Sequence, residues 1–286
     1  MFIQHNNGAY MSAARLAIPR VIHQTFYSKQ LPESIRQNIA HLKGQNPSFE
    51  LRLYDDADAS DFIRDEFGTD ILERFLRIRP EYGAARADLF RYLLIYARGG
   101  VYLDVKSTTT RPLEEVLRPD DRFLLSHWAN RPGEEHEGWG NEDVRYPGLP
   151  EGEFQQCHVI AAPRHPFLQA VIEKTLANIR TYSPWKAGIG KVGTFRTTGP
   201  ICYTNAILPI LPLHPHRLVR TNADLGLRNS IFEQAGHHHS LGKSHYRHRA
   251  DSVVSARSVA TDVSFKTYSF LFRARRKIQA VTGSGL

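Results

Sequence analysis

The chain alternates short apolar runs with amphipathic stretches. IPRVIHQTF, around residues 18–26, is a short β-branched run bounded by Pro19, the pattern of a buried strand. Beyond Pro32, Ile35, Ile39 and Leu42 recur at helical spacing until Gly44 and Pro47 stop the segment. FELRLYDD alternates Phe49, Leu51 and Leu53 with polar residues and stops in an acidic turn, which predicts a second strand. DASDFIRDEFG and ILERFLRI read as helices closed by Pro80. Residues 84–97 predict a long helix with Ala87, Phe90, Leu94 and Ala97 along one face and the pair Gly99-Gly100 at its end. VYLDV then reads as a strand with Asp104 at its carboxyl end. FQQCHVIAA is a further strand, HPFLQAVIEKTLANI a helix, TTGP leads into the helix CYTNAILPIL, and residues 217–220 read as a last strand. Residues 128–153, rich in Gly, Pro and acids, predict a long loop, and loops of that length are usually functional or mobile. Strands alternating with helices predict an α/β fold, with ligands at the carboxyl ends of strands.

Composition narrows the classes. At 286 residues, 41% hydrophobic and 23% charged, the chain has enough apolar material for one sizeable domain with additions, which excludes disordered and fibrous proteins. No run of apolar residues is long enough for a spanning helix. The first twenty residues lack a basic stretch followed by an apolar one, so no secretory leader is expected. Cys157 and Cys202, the only cysteines, are too few for a disulfide framework or a cysteine-built zinc site, and a reducing cytosol is the expected compartment.

Charge changes the picture at one end. The net charge is +8, and residues 243–286 hold nine basic residues against Asp251 and Asp262, leaving the rest nearly neutral. A basic tail on a neutral body favours tethering over groove recognition, and no nucleic-acid motif accompanies it. Phe265, Tyr268, Leu271, Phe272 and Ile278 can share one helix face, with Lys266, Arg273, Arg276 and Lys277 around it. Such a basic amphipathic segment reads either as attachment to an anionic membrane or as a helix packed on the body.

The densest chemistry lies in ARADLFRY followed by GGVYLDVK. Asp88 and Arg91 are three residues apart on a helix, able to point together at a ligand or to pair with each other. Asp104, just past a buried strand, suits a sugar hydroxyl or a metal-bound diphosphate; an ordinary strand-end aspartate is the alternative. GHHHSLGKSHY offers imidazoles for Mn²⁺ or Zn²⁺, or for phosphate, or is simply a polar loop. Three consecutive histidines do not all face one point. Asp55 and Asp56 form an acidic turn. Glu134, Glu135, Glu137, Glu142 and Asp143, with Trp128 and Trp139, could serve an acceptor sugar by hydrogen bonding and ring stacking, or be solvated. Thr198, Gly199 and Pro200 read as a turn near the site. No Gly-rich phosphate loop, GxSxG elbow, HExxH or CxxC is present.

IPRVIHQTF, NPSFELRLYDD, AARADLFRYLLIYARGGVYLDVKS, FQQCHVIAAPRHPFLQAVI and TTGP resemble, in order, the blocks of glycosyltransferase family 32. These DXD-containing sugar transferases are related to yeast initiating mannosyltransferases and, distantly, to clostridial glucosylating toxins. The resemblance implies an α/β, GT-A-like (Rossmann-like) fold over residues 18–250, outside which lie an arm (1–17) and the basic tail (251–286). It implies a UDP- or GDP-sugar donor and transfer to a glycan or glycolipid with retention of configuration. The implied setting is bacterial surface polysaccharide or lipopolysaccharide synthesis, in the cytoplasm or at the inner face of the membrane. An effector that glycosylates a protein, a His/Asp metal-dependent hydrolase and a non-catalytic sugar- or membrane-binding module are the alternatives.

Position by position, His23, Gln24 and Thr25 match the segment near the nucleotide base. Asp88 and Arg91 match residues that hold ribose and donor-sugar hydroxyls, and Asp104 matches the first acid of DXD. With Asp104 they form the expected catalytic set. The third DXD position is Lys106, where the family's second acid binds the cation bridging the diphosphate. Either Lys106 supplies that charge itself, or Asp104 with His237 and His239 retains Mn²⁺ or Mg²⁺, or the chain is inactive; a retained metal is the expectation. Ser244 and His245 resemble the family's late His…Ser-Trp block over the donor phosphates, with His245 and Tyr246 where the Trp is expected. Trp128 and Trp139 are the candidate acceptor contacts.

Overall fold

The computed structural model describes residues 16–140, 146, 149–232 and 249–282. In chain order the elements are β1 (Val21–Thr25), α1 (Glu33–Gln45), β2 (Glu50–Tyr54), α2 (Asp56–Phe67), α3 (Thr69–Arg77), α4 (Gly83–Arg98), β3 (Gly100–Leu103), β4 (Thr108–Thr109), α5 (Leu113–Val116) and β5 (Phe123–His127). There follow β6 (His158–Ala161), α6 (Pro166–Arg180), α7 (Pro184–Ala187), α8 (Gly190–Thr197), α9 (Pro200–Ile207), β7 (Arg217–Thr221), β8 (Leu227–Arg228) and α10 (Val259–Thr282).

Six strands form one sheet in the order β2-β1-β3-β6-β5-β7. The pairs β1–β2, β1–β3 and β5–β7 are parallel; β6 runs antiparallel to both β3 and β5. The α/β expectation holds, and the sheet is mixed. Alternation along each strand sends side chains to two cores. Tyr102, Phe123, Leu125, Val159 and Ala161 enter the larger one, with α4 and α6. Val101, Leu103, Leu124 and Ile160 enter the smaller one, with Leu42 of α1 and Leu113 and Val116 of α5.

Helix α4 departs from its expected one-sided face. Ala85, then every residue from Asp88 to Ile95, is buried, whereas Ala87 and Ala97 are half-buried. The helix passes through the interior and carries Asp88 and Arg91 in with it. The basic tail also differs from the single face read in its sequence. Phe265, Ser269 and, less deeply, Tyr268 and Phe272 turn toward the body, where Phe265 meets Tyr182 edge-on with 5.6 Å between ring centroids. Leu271 and Ile278 lie on the exposed side. The run FLLSH, buried at every position of β5, lies just before the stretch read as loop.

Three histidines within this framework are held neutral. His23 on β1 sits between the Gly99 carbonyl and the Tyr54 hydroxyl, at 3.2 and 3.1 Å. The His165 Nδ1 accepts from the Phe167 N–H at the start of α6 while Nε2 faces the Pro215 carbonyl. His158 of β6 pairs with the Ser126 hydroxyl at 3.2 Å. Burial is the main cause that lowers each from its ordinary 6.5 to about 4. Between those values the unfolded chain binds more protons than the folded one, so stability rises with pH through this window and is lost as pH falls through it. We expect the urea midpoint to drop steadily from pH 7 to pH 4.5, with a slope of up to about 1.4 kcal/mol per pH unit for each histidine. A midpoint that stays flat over that range would contradict the neutral assignment.

Candidate active site at the strand ends

The loop after β3 is fixed on every side. The Asp104 N–H donates to the Cys157 carbonyl at 2.9 Å, extending the β3–β6 ladder by one residue. The Asp104 carbonyl accepts from Ser107 N–H at 2.7 Å and from the Gln24 amide at 3.3 Å. From α1, Asn38 donates to the Val105 and Ser107 carbonyls at 3.2 and 2.9 Å. The segment after β8 completes the clamp: Ile231 N–H donates to the Lys106 carbonyl and Ser107 Oγ to the Asn229 carbonyl. β4 pairs antiparallel with β8 directly beyond. Asp104 and Lys106 therefore stand at the carboxyl end of β3 on a fixed backbone.

Asp104 belongs to a charged cluster of one cation and two acids, whose other two members are enclosed. Arg91 Nη2 is 3.0 Å from Asp88 Oδ1, and Nη1 is 3.1 Å from Asp104 Oδ1. Nη1 also donates to the Gln156 carbonyl and Nε to the Ala87 carbonyl. The guanidinium lies 4.8 Å from the Tyr102 ring centre. Both oxygens of Asp88 are used, since Oδ1 also accepts from the Gln156 amide at 3.1 Å and Oδ2 from the Thr198 hydroxyl at 2.8 Å. Burial pushes the Asp88 carboxyl above its ordinary range, opposed by Arg91 and by the hydrogen bonds of Thr198 and Gln156. Burial also acts against the charge of Arg91, but Asp104 first, then Tyr102 and Asp88, hold its pKa above the ordinary value. Asp88 and Arg91 are almost completely enclosed, whereas the Asp104 side chain is 25% exposed. Of the three, Asp104 is the group a solute can reach.

Of the β1 residues, Gln24 adjoins Asp104 directly, and its buried Oε1 has no hydrogen-bond partner among the described residues. Thr25 meets the Tyr102 hydroxyl at 2.8 Å, and Tyr102 in turn lies under Arg91. His23 is enclosed by its own hydrogen bonds, tying β1 to the end of α4. Asp55 caps α2, its carboxylate accepting from the Ala57 and Asp58 N–H groups, so the acidic turn is a helix start. Trp128, His136 and Trp139 pack into one cluster with ring centres 4.9–5.2 Å apart. Burial lowers the His136 pKa; Glu135 opposes that, and the Lys106 ammonium adds to it, so the cluster lies within electrostatic reach of Lys106. Glu134 pairs with Arg220 at 2.8 Å rather than standing free. His237, His238, His239, Ser244 and His245 lie outside the described residues.

Gln156 is the participant that the sequence did not single out: it donates to Asp88, accepts from Arg91 and accepts from the Tyr92 hydroxyl at 2.7 Å. Its place in the polar lead of the run FQQCHVIAA, two residues before β6, was the available signal. The thiol of the half-buried Cys157 beside Asp104 is pushed up to about 12, mainly by desolvation and then by the Asp104 charge, so it is no thiolate near neutrality.

A divalent cation asks for several oxygen or imidazole ligands converging on one point. Among the described residues no three His, Cys, Asp or Glu side chains come together in this way. Asp88 has both oxygens committed and Asp104 shares Arg91. The described residues alone do not fit a cation seat, and the charges available here are those of Asp104 and Lys106.

Residues 32–124 match the family model described as a glycosyltransferase sugar-binding region containing a DXD motif, which spans Asp88, Arg91, Asp104 and Lys106. Over that segment, about a third of the chain, the sequence is similar to this family. Inositol phosphoceramide mannosyltransferase 1 of Schizosaccharomyces pombe is 25% identical over 209 residues, 71% of this chain and 55% of that protein. Mannosyl phosphorylinositol ceramide synthase SUR1 of Saccharomyces cerevisiae is 30% identical over 102 residues, 35% of this chain and 25% of that protein. The chain thus spans from a quarter to about half the length of these curated relatives. Among solved structures, the PaToxG glycosyltransferase aligns with 14% identity and a TM-score of 0.47, covering 68% of this chain and 70% of that one. The sugar-binding region ends within β5, so Gln156, Thr198 and the Trp128–Trp139 cluster are contributed from beyond it.

Proposed function

We propose that the protein transfers a sugar from a UDP- or GDP-sugar to a glycan or glycolipid acceptor with retention of anomeric configuration, in the synthesis of a surface glycan. The observation that carries this reading is a reachable carboxylate, that of Asp104, fixed at the end of β3 over the enclosed Arg91–Asp88 pair. Arg91 and Asp88 act as positioning residues, because their polar atoms are taken up within the protein. Asp104 orients a donor hydroxyl, and Gln24 offers an unmatched acceptor oxygen beside it. Lys106, from the same loop, sets a positive charge against the diphosphate as it leaves and gathers negative charge. Retention fits attack on the face the diphosphate leaves, with the leaving phosphate oxygen taking the acceptor's proton. The chain's part is then orientation and charge stabilisation, and no protein nucleophile is used. The names of the relatives put a mannosyl donor first among the candidates.

The test is nucleotide release from a panel of UDP- and GDP-sugars in Mn²⁺, Mg²⁺ and EDTA. One donor should turn over, and Asp104→Asn should reduce its release by roughly 10- to 100-fold, the scale of one charge-assisted contact at a reacting group. Release that survives EDTA and falls in Lys106→Gln assigns the stabilising charge to Lys106. Release lost in EDTA assigns it to a cation held by Asp104 together with groups outside the described residues. Absence of both turnover and donor binding across the panel would sink the reading.

A further inference from the structure

Helix α10 has two apolar sides, and only one is covered. Phe265, Ser269 and Phe272 face the body, close to Tyr182 and α7. Projected at about 100° per residue, Val259, Val263, Phe270, Leu271 and Ile278 fall together in the opposite sector. All five are exposed, Phe270 by 69% and Ile278 by 63%. A surface helix of a soluble domain ordinarily places polar residues there. Cations flank the sector: Lys266, Arg273 and Lys277 along one edge and Arg275 along the other, with Asp262 the one acid of the helix. No described helix is long and apolar enough to cross a membrane. The arrangement suits a helix lying in an interface.

A cleft of about 350 Å³ opens beside this helix, between it and α7–α8. Its lining includes Trp185, Lys186, Lys191, Arg196, Arg249 and Arg276. Trp185 is 54% exposed, anchored by its indole N–H to Ser264 Oγ at 3.1 Å and packed edge-on against Tyr268. An amphipathic ring at the mouth of a cation-lined cleft, next to an exposed apolar sector, matches the layered chemistry of a headgroup region: apolar below, wet and anionic above. Among the described residues of that lining none is acidic, and Arg249 pairs with Asp251 just outside it at 2.7 Å.

We propose that α10 docks the protein on an anionic lipid surface, its outward apolar residues entering the interface and a phosphate-bearing headgroup occupying the Trp185 cleft. The charge of the helix selects this occupant. A second copy of the chain would bring the same cations face to face, whereas an anionic bilayer complements both the apolar sector and its basic edges. The proposal goes beyond sugar transfer and requires no donor or acceptor to be bound.

The test is flotation of the full chain with vesicles of phosphatidylcholine alone and of phosphatidylcholine with 30% phosphatidylglycerol, together with sedimentation velocity of the free protein. Binding to the anionic vesicles, little to the neutral ones, and weakening from 0.1 to 0.5 M NaCl are expected. Arg273→Gln with Lys277→Gln should weaken binding roughly 20- to 30-fold, about fivefold per cation. Phe270→Ser with Ile278→Ser should weaken it by tenfold or more. Because Phe270, Lys277 and Ile278 are exposed and Arg273 gives up only one exposed hydrogen bond, to the Ala250 carbonyl, thermal melting and donor turnover should stay close to the wild-type level, which separates lost docking from lost folding. Equal binding to both vesicle types, binding unchanged in both double variants, or a stable dimer dispersed by Phe270→Ser would each overturn the proposal. Failure of sugar transfer with docking intact would count against the glycosyltransferase reading alone.

Discussion

Arg91→Ala should cost about 3–5 kcal/mol of stability, because it leaves the enclosed Asp88 carboxylate without its cation. For a chain of this size that corresponds to a fall in melting temperature on the order of 10 °C. The loss arises from the buried acid left behind more than from the pair itself. Thr198 and Gln156 would still donate to Asp88, at 2.8 and 3.1 Å, but neither brings charge. Asp88 would then take up a proton more readily, since burial already pushes its carboxyl up and Arg91 is the main group opposing it. Combining Arg91→Met with Asp88→Asn removes both charges and should recover a good part of the loss, a coupling that a double-mutant cycle reads directly. Melting curves followed by circular dichroism decide it: an Arg91→Ala protein melting within about 2 °C of wild type would rule out the account of a cation neutralising an enclosed acid.

Gly99→Ala should be comparably damaging for a different reason. Gly99 ends α4, its N–H donating to Ile95, with φ +65° and ψ −169°, a region nearly reserved for glycine. A Cβ there would lie 2.7 Å from Pro163 Cδ and 2.8 Å from Pro19 Cδ, both on rigid rings. Gly100 follows at φ +104°, where a Cβ would meet the Val21 carbonyl at 2.7 Å. Together they reverse the chain from helix to strand in two residues and let β3 start against β1. The strained backbone and the overlap should each cost about 1–3 kcal/mol. Soluble expression followed by urea unfolding would measure the sum. A variant less than about 1 kcal/mol down would mean that Pro19 and Pro163 can yield.

The pattern along the chain made most of this fold legible. Strands β1–β3 and helices α1–α4, α6 and α9 lie where alternation, helical spacing and the Gly and Pro stops put them. β5 escaped because FLLSH, buried at every position, shows no alternation. β4 and β8 are two-residue pairings with no periodicity to read. α4 was read as one-sided because Asp88 and Arg91 look like solvent-facing residues until a partner is known for each. At the site, the likeness of Asp88, Arg91 and Asp104 to a family's blocks gathered the residues, but the division of labour among them was not legible. It depends on which atoms are already used, and that is set by Gln156, Thr198 and Tyr102 from other parts of the fold. A list of apolar residues groups Leu271 and Ile278 with Phe265 because it does not show which side of a helix is packed and which is exposed.

The clamp on the Asp104 loop also imposes an order of assembly. Its ties reach back to Asn38 and forward to Asn229 and Ile231, separations of 69 residues from Ser107 to Asn38 and 122 from Ser107 to Asn229. Contacts this distant along the chain form late, after more local pairings have paid the loop-closure entropy. A ribosome that has released β1 to β6 holds a chain whose β3 can already be paired, while the carbonyl of Lys106 and the hydroxyl of Ser107 still await their partners. The loop that carries Asp104 is therefore completed as one of the last events of folding.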